Sequence, residues 1–223
     1  MIVAVCGGKG GVGKSTLAYN LAAAVDGTVV DADLGMADLP GDRGRGPDLH
    51  DVLAGRADPL EAVTDRGAVT LLPCGRSLAG ARATDPTALG DALDAVARVG
   101  GPVLVDCPAG MNADAGLPLY AADACILVTT PDRPAVADAL RTRELARELD
   151  AGLCRVAVNR ATGATPRSAL ERAVGAKSVE VPASPVLGRS LAAGDAAVRT
   201  APDAPAAAAI QTLADGVQSC TPR

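Results

Sequence analysis

Gly8-Lys9-Gly10-Gly11-Val12-Gly13-Lys14-Ser15-Thr16 lies between a short apolar run, residues 2–6, and a stretch, 15–25, in which Leu17, Leu21, Ala22 and Val25 recur at helical spacing. Gly8, Gly13, Lys14 and Ser15 satisfy the Gly-x-x-x-x-Gly-Lys-Ser phosphate-loop pattern, with the strand before it and the helix after it that the pattern requires. Glycines let the main chain curl until successive N–H groups point at one anion, and the following helix adds the positive end of its dipole. Lys14 is placed to bridge β- and γ-phosphates, and the Ser15 hydroxyl to ligate Mg2+. A nucleoside triphosphate with Mg2+ is the expected ligand of residues 8–16.

Outward from this loop, apolar runs alternate with helical stretches. Strands are expected at 28–32, 69–73, 103–106, 124–129, 155–159 and 178–181, and helices at 49–53, 59–63, 85–98, 134–149, 186–193 and 203–217. The helix at 85–98 opens on an Asp-Pro cap signal. Apolar strands alternating with helices mean a mostly parallel sheet covered by helices on both faces, an α/β P-loop nucleoside-triphosphatase fold. Such sheets bind ligands at the carboxyl ends of their strands, where Gly7, Asp33, Asp106 and Asn159 all fall. No internal repeat stands out, residues 40–47 read as a surface loop rather than a linker, and one domain over 1–223 is the simplest organisation.

Hydrophobic residues make up 48% of the chain, enough for a substantial core, yet there is no Trp or Phe and only Tyr19 and Tyr120. Ala, Val and Leu must fill the interior, and base stacking on aromatic rings is nearly unavailable. A net charge of −5 provides no electrostatic footprint for DNA or an anionic membrane, so DNA binding is not expected. Lysine occurs only at positions 9, 14 and 177 while arginine is common, a bias that fits GC-rich codon usage or adaptation to salt in a prokaryote. Two of those lysines nonetheless stand in the glycine loop. The cysteines form no C-x-x-C pair and read as small core residues or free thiols of a reducing cytoplasm. Met1 leads straight into the first strand, so no signal peptide is expected, and no apolar run reaches the roughly 20 residues that span a bilayer. His50, in Leu49-His50-Asp51-Val52-Leu53, has no partner signature around it and reads as a surface helix residue without a catalytic role.

Lys9 makes Lys9-Gly10-Gly11-Val12-Gly13-Lys14-Ser15-Thr16 resemble the deviant phosphate loop of the MinD/ParA ATPase family. The resemblance runs nearly end to end. It implies that Lys9 crosses a nucleotide-sandwich homodimer to touch the other subunit's phosphates, positive charge supplied in trans as an arginine finger supplies it. Asp31-Ala32-Asp33-Leu34-Gly35-Met36-Ala37-Asp38 looks like the family's first switch, closer to the MinD form than to the ParA form. By that likeness Asp33 orients the attacking water and Asp31 supports Mg2+ through its hydration shell. Val103-Leu104-Val105-Asp106-Cys107-Pro108-Ala109-Gly110 looks like the second switch, with Asp106 reaching metal-bound water and Gly110 offering its N–H to the γ-phosphate.

Val128-Thr129-Thr130-Pro131-Asp132, followed by Asp138, resembles the segment that receives the signature lysine of the other subunit. Asp132 stands where the family usually has Glu, and Asp138 reads equally as a solvated surface charge. Val158-Asn159-Arg160 resembles the strand end that carries base recognition, where Asn159 favours adenine and therefore ATP and ADP; the guanine-type Asn-Lys-x-Asp motif is absent. Val181-Pro182-Ala183 looks like the second base-side loop, without the acidic residue common after this proline.

What the resemblance implies is a Mg2+-dependent ATPase, with Lys9, Lys14 and Asp33 carrying hydrolysis. Its ATP-bound dimer would engage unidentified protein partners and position a cellular component, such as the division site or a motility or chemosensory array. MinD proteins generally end in a basic amphipathic helix that binds membrane. Here residues 210–218 have helical apolar spacing without a Lys or Arg cluster, so the helix reads as packed on its own domain and direct membrane binding is not expected. A ParA-type partition ATPase is the alternative; its DNA-binding patch would have to come from Arg141, Arg143 and Arg147, which Glu144 and Glu148 dilute. A metabolic or maturation enzyme on the same fold is a second alternative. The missing C-x-x-C argues against a cluster carrier, and the missing glutaminase-type Cys/His region, with Lys9 present, against a synthetase.

Overall fold

The apolar runs become strands β1 (Ile2–Cys6), β2 (Thr28–Asp31), β3 (Thr64–Asp65), β4 (Thr70–Leu72), β5 (Val103–Asp106), β6 (Ala124–Thr129), β7 (Gly152–Ala161) and β8 (Ser178–Pro182). They come from a computed structural model that describes residues 1–40, 46–65, 67, 69–111, 113–163 and 167–220. The strands form one sheet in the order β3-β4-β2-β5-β1-β6-β7-β8. All neighbours pair in parallel except β3 with β4. Every residue of β1, β2, β5 and β6 is buried, which is why these runs are near-continuously apolar rather than alternating, with polar residues only at their ends.

Strand periodicity divides the side chains between two cores. Val3 and Val5 of β1 join the core under the helices Lys14–Ala24, Pro185–Ala193 and Pro205–Gln218, while Ile2, Ala4 and Cys6 join the core on the opposite face. With no large aromatic apart from Tyr19 inside, the packing is mostly Leu, Val and Ala, with a few Ile and Cys. Asn20, fully buried, ties the loop-bearing helix to the C-terminal part: its amide donates to Ser190 Oγ at 2.9 Å, and its Oδ1 accepts from the Ala197 N–H at 2.7 Å. The helix Pro205–Gln218 buries Ile210, Leu213, Ala214 and Val217, so it packs on its own sheet, as expected from apolar spacing without a Lys or Arg cluster.

Several elements differ from the sequence reading. The helix expected at 85–98 is a 3-10 turn, Pro86–Ala88, followed by the α-helix Leu89–Ala97. β7 runs past both ends of the expected 155–159, because it pairs with β6 on one side and β8 on the other. Helices Leu78–Ala83, Ala113–Ala121, Arg167–Val174 and Ala197–Thr200 and the short β3 were not anticipated. Of the surface loop expected at 40–47, residues 41–45 lie outside the described residues. Cys154 and Cys220 are not free thiols: they form a disulfide, Cα–Cα 5.8 Å, that fastens the chain beyond the helix Pro205–Gln218 to β7. The other four cysteines are buried and free, as core residues should be.

Candidate functional site

β1 delivers the chain to the centre of the sheet's carboxyl edge, and the glycine loop turns it into the helix Lys14–Ala24. Gly13 makes that turn with φ +99°, and a Cβ there would stand 2.2 Å from the Asn159 amide nitrogen, so only glycine fits. The same amide donates to the Val12 carbonyl at 2.8 Å, bracing the loop from β7. No side chain caps the helix, which leaves the first-turn N–H groups available to an anion. Lys14, Ser15 and Thr16 open the helix, and Lys14 is 7% exposed. Lys9 behaves differently. Its side chain is 46% exposed on the rim, with Nζ 3.4 Å from Asp132 Oδ1 of the same chain.

The aspartates converge on the same edge. Asp31 and Asp106 are register partners at the ends of β2 and β5, and both are buried. Asp31 accepts from three main-chain N–H groups, those of Asp33, Asp38 and Leu39, at 3.3, 3.1 and 3.0 Å. Burial still raises its carboxyl from 3.8 to about 7, helped by the charges of Asp33 and Asp38. Burial likewise raises Asp106, with Asp31 adding to it and Ser15 and Lys14 opposing. Asp106 Oδ1 is a buried acceptor without a partner among the described residues. Asp33 is raised by burial and by Asp38, against the Met36 N–H that bonds its Oδ1 at 3.0 Å. Asp38, which the sequence reading left without a role, stands with Oδ2 3.4 Å from Ser15 Oγ.

Two hollows flank the loop. One, about 500 Å3, is lined by Gly11, Lys14, Asp33, Asp38, Pro108 and Ala109; Gly110 follows directly, with φ +105°. The other, about 440 Å3, is lined by Gly13, Thr16, Asn159, Arg160, Ala183 and Pro185. Arg160 is a bulge residue with φ +55° that leaves Asn159 facing Val181 and Ala161 facing Pro182, and its N–H bonds Asn159 Oδ1 at 3.0 Å. Pro182 ends β8 just before the lining residue Ala183.

Of the dimer-contact candidates, Asp132 caps the helix Arg133–Glu148, taking the Ala135 N–H at 3.0 Å and the Thr130 hydroxyl. These bonds, led by Thr130, hold its carboxyl below the usual range. Asp138 pairs with Arg141 at 2.8 Å, and its main chain packs so close to Gly8 that a Cβ there would meet its carbonyl at 2.5 Å. His50 is not a surface residue. It is 2% exposed, with Nε2 3.0 Å from the Leu34 carbonyl, because its helix packs behind the 31–39 loop. Arg76, also missed, donates to the Leu39 carbonyl at 3.2 Å. Asp38 closes a quoted motif and was legible in principle; nothing local marks His50 or Arg76, whose partners lie 16 and 37 residues away.

A glycine loop between the central strand and a helix, with paired aspartates at the neighbouring strand ends, defines a P-loop nucleotide-binding protein. The chain belongs to the CobQ/CobB/MinD/ParA nucleotide-binding domain family, whose model matches residues 3–202. An ATP-binding protein of Methanocaldococcus jannaschii is 32% identical to it over 95% of this chain and 85% of its own. The cell division ATPase MinD of Pyrococcus furiosus superposes with a TM-score of 0.89 at 27% identity, over 97% of this chain and 98% of that one. The septum site-determining protein MinD of Pyrococcus horikoshii, solved in complex with Mg-ADP, does so with 0.89 at 27%, over 98% and 96%.

Proposed function

We propose that the chain is a Mg2+-dependent ATPase of the MinD kind that dimerises on ATP binding and, in the cytoplasm, positions a cellular component through protein partners. The observation that carries this reading is the separation of the two loop lysines. Lys14 is buried at the foot of its helix, whereas Lys9 is half exposed and held by one long contact to Asp132. An exposed pair of this kind contributes little, so the charge is available to the phosphates of a second subunit. Those contacts exist only in the dimer, and nucleotide state then sets the monomer–dimer balance.

The remaining roles follow from position. In this reading Lys14 and the loop N–H groups hold the phosphates, Gly110 offers its N–H to the γ-phosphate, and Asp33 orients the attacking water. Ser15, Asp31 and Asp106 fit Mg2+, the aspartates through water. Two buried carboxylates without a cationic partner at hydrogen-bond distance among the described residues, with one oxygen of Asp106 unpaired, suit a hydrated cation beside a hydroxyl. Bound there, the ion supplies the positive charge that lets carboxylates and triphosphate share the site. Asn159, Arg160 and the turn after Pro182 border a hollow with ample room for a purine base. The Mg-ADP complex of the Pyrococcus horikoshii relative supports ATP and ADP as ligands here. Residues 1–223 act as one domain in this reading, without direct membrane binding. In its favour, the helix Pro205–Gln218 spends its apolar side on the sheet.

Phosphate release from Mg-ATP should exceed that of Lys14→Ala, and light scattering should find Asp33→Ala dimeric with ATP but Asp33→Ala/Lys9→Ala monomeric. A monomer in both would defeat the trans role of Lys9. Co-flotation of the pure protein with liposomes in Mg-ATP would defeat the membrane-free reading.

A further inference from the structure

The chain has a single histidine, and it is packed against the loop that carries Asp33. A carbonyl only accepts, so the bond to Leu34 puts a hydrogen on Nε2. Nδ1 is buried without a partner among the described residues. The ring occupies a fitted niche: a Cβ at Gly75 would come within 2.3 Å of Nδ1, and Cys74 Sγ lies 3.4 Å from Nε2. From the same turn Arg76 reaches the far end of the loop and bonds the Leu39 carbonyl. The Leu34 and Leu39 carbonyls are therefore held from outside by His50 and Arg76. From within, Asp31 holds the N–H groups of Asp33, Asp38 and Leu39. A buried ring that leaves one nitrogen unpaired to make one bond to a loop carbonyl costs stability unless that bond sets a position.

We propose that His50 and Arg76 are positioning residues, a two-point clamp on the 34–39 loop that aims Asp33 and Asp38 at the phosphate side. The inference rests on the ATPase reading above. Neither residue lines either hollow beside the glycine loop, so their effect passes through the loop they hold. Displacing a water-orienting group by an ångström slows turnover about 10- to 100-fold while the phosphate loop keeps its nucleotide.

The test uses His50→Ala, Arg76→Ala and His50→Gln, which keeps an N–H donor at similar reach. Amide exchange of the nucleotide-free protein should speed up across residues 33–39 in both alanine variants. The kcat should fall about 10-fold or more with KM within two-fold, and His50→Gln should recover much of both. Arg76 is exposed, so Arg76→Ala folds whether or not His50→Ala does. Unchanged exchange in the loop, or a kcat within two-fold of wild type in both alanine variants, would overturn the clamp. Phosphate release by the wild type no faster than Lys14→Ala would strike only the ATPase reading, because the exchange comparison needs no nucleotide.

Discussion

Asp31 shows how much a single buried carboxyl can report. Its proton leaves near 3.8 in the unfolded chain and near 7 in the folded one, so across that interval the folded state holds a proton the unfolded state has released. The associated stability is full below about pH 4, declines as pH rises, and is gone above about pH 7. Asp33 and Asp106 shift in the same direction. Calorimetry of the metal- and nucleotide-free protein should therefore show a thermal midpoint falling from pH 5 to pH 7. Mg-ADP should stabilise least at pH 5, where the carboxyl must first give up its proton. Equal Mg-ADP stabilisation at both pH values would contradict this. Asn159 makes a second residue-scale case. As a brace, its loss leaves the buried Val12 carbonyl unpaired, so Asn159→Ala should lower unfolding free energy by about 1–3 kcal/mol without nucleotide. Urea titration checks this; an unchanged midpoint would leave Asn159 as a base reader only.

At the scale of elements, the sequence was most legible where burial is complete. β1, β5 and β6 fall on the expected residues because fully covered parallel strands read as near-continuous apolar runs. The helix Leu78–Ala83 buries none of its residues and so has no periodic stripe to read. The helix Ala113–Ala121 hides behind Gly116 and Pro118, both of which argue locally against a helix. The phosphate loop, Asp31, Asp33 and Asp106 were readable because their chemistry is written in contiguous motifs. The bracing of the Val12 carbonyl by Asn159 spans the width of three strands and leaves no local trace. The Cys154–Cys220 link was illegible for a similar reason: a separation of 66 residues matches no short spacing rule. Closing so long a loop restrains the unfolded chain, so Cys220→Ser should lower unfolding free energy by about 2–4 kcal/mol, and dithiothreitol should do the same to the wild type. Denaturation with and without reductant reads both.

For the whole molecule, charge placement bears on what it can hold. The arginines that a DNA-binding patch would need stand among acids that cancel their charge locally: Arg141 beside Asp138, Arg143 beside Glu144 and the Val174 carbonyl, and Arg147 beside Glu144 at 3.8 Å. With a net charge of −5 behind them, these pairs should leave duplex DNA unbound even in low salt with ATP. Fluorescence anisotropy measures this, and salt-sensitive retention would revive a partition role. The sheet's margins bear on assembly. At one edge stands β3, two residues long and antiparallel to β4; at the other, β8 carries Glu180 and ends in Pro182, which has no N–H to donate. Both margins are poor templates for a neighbouring molecule's strand, so the stacking of copies edge to edge into permanent fibres is disfavoured.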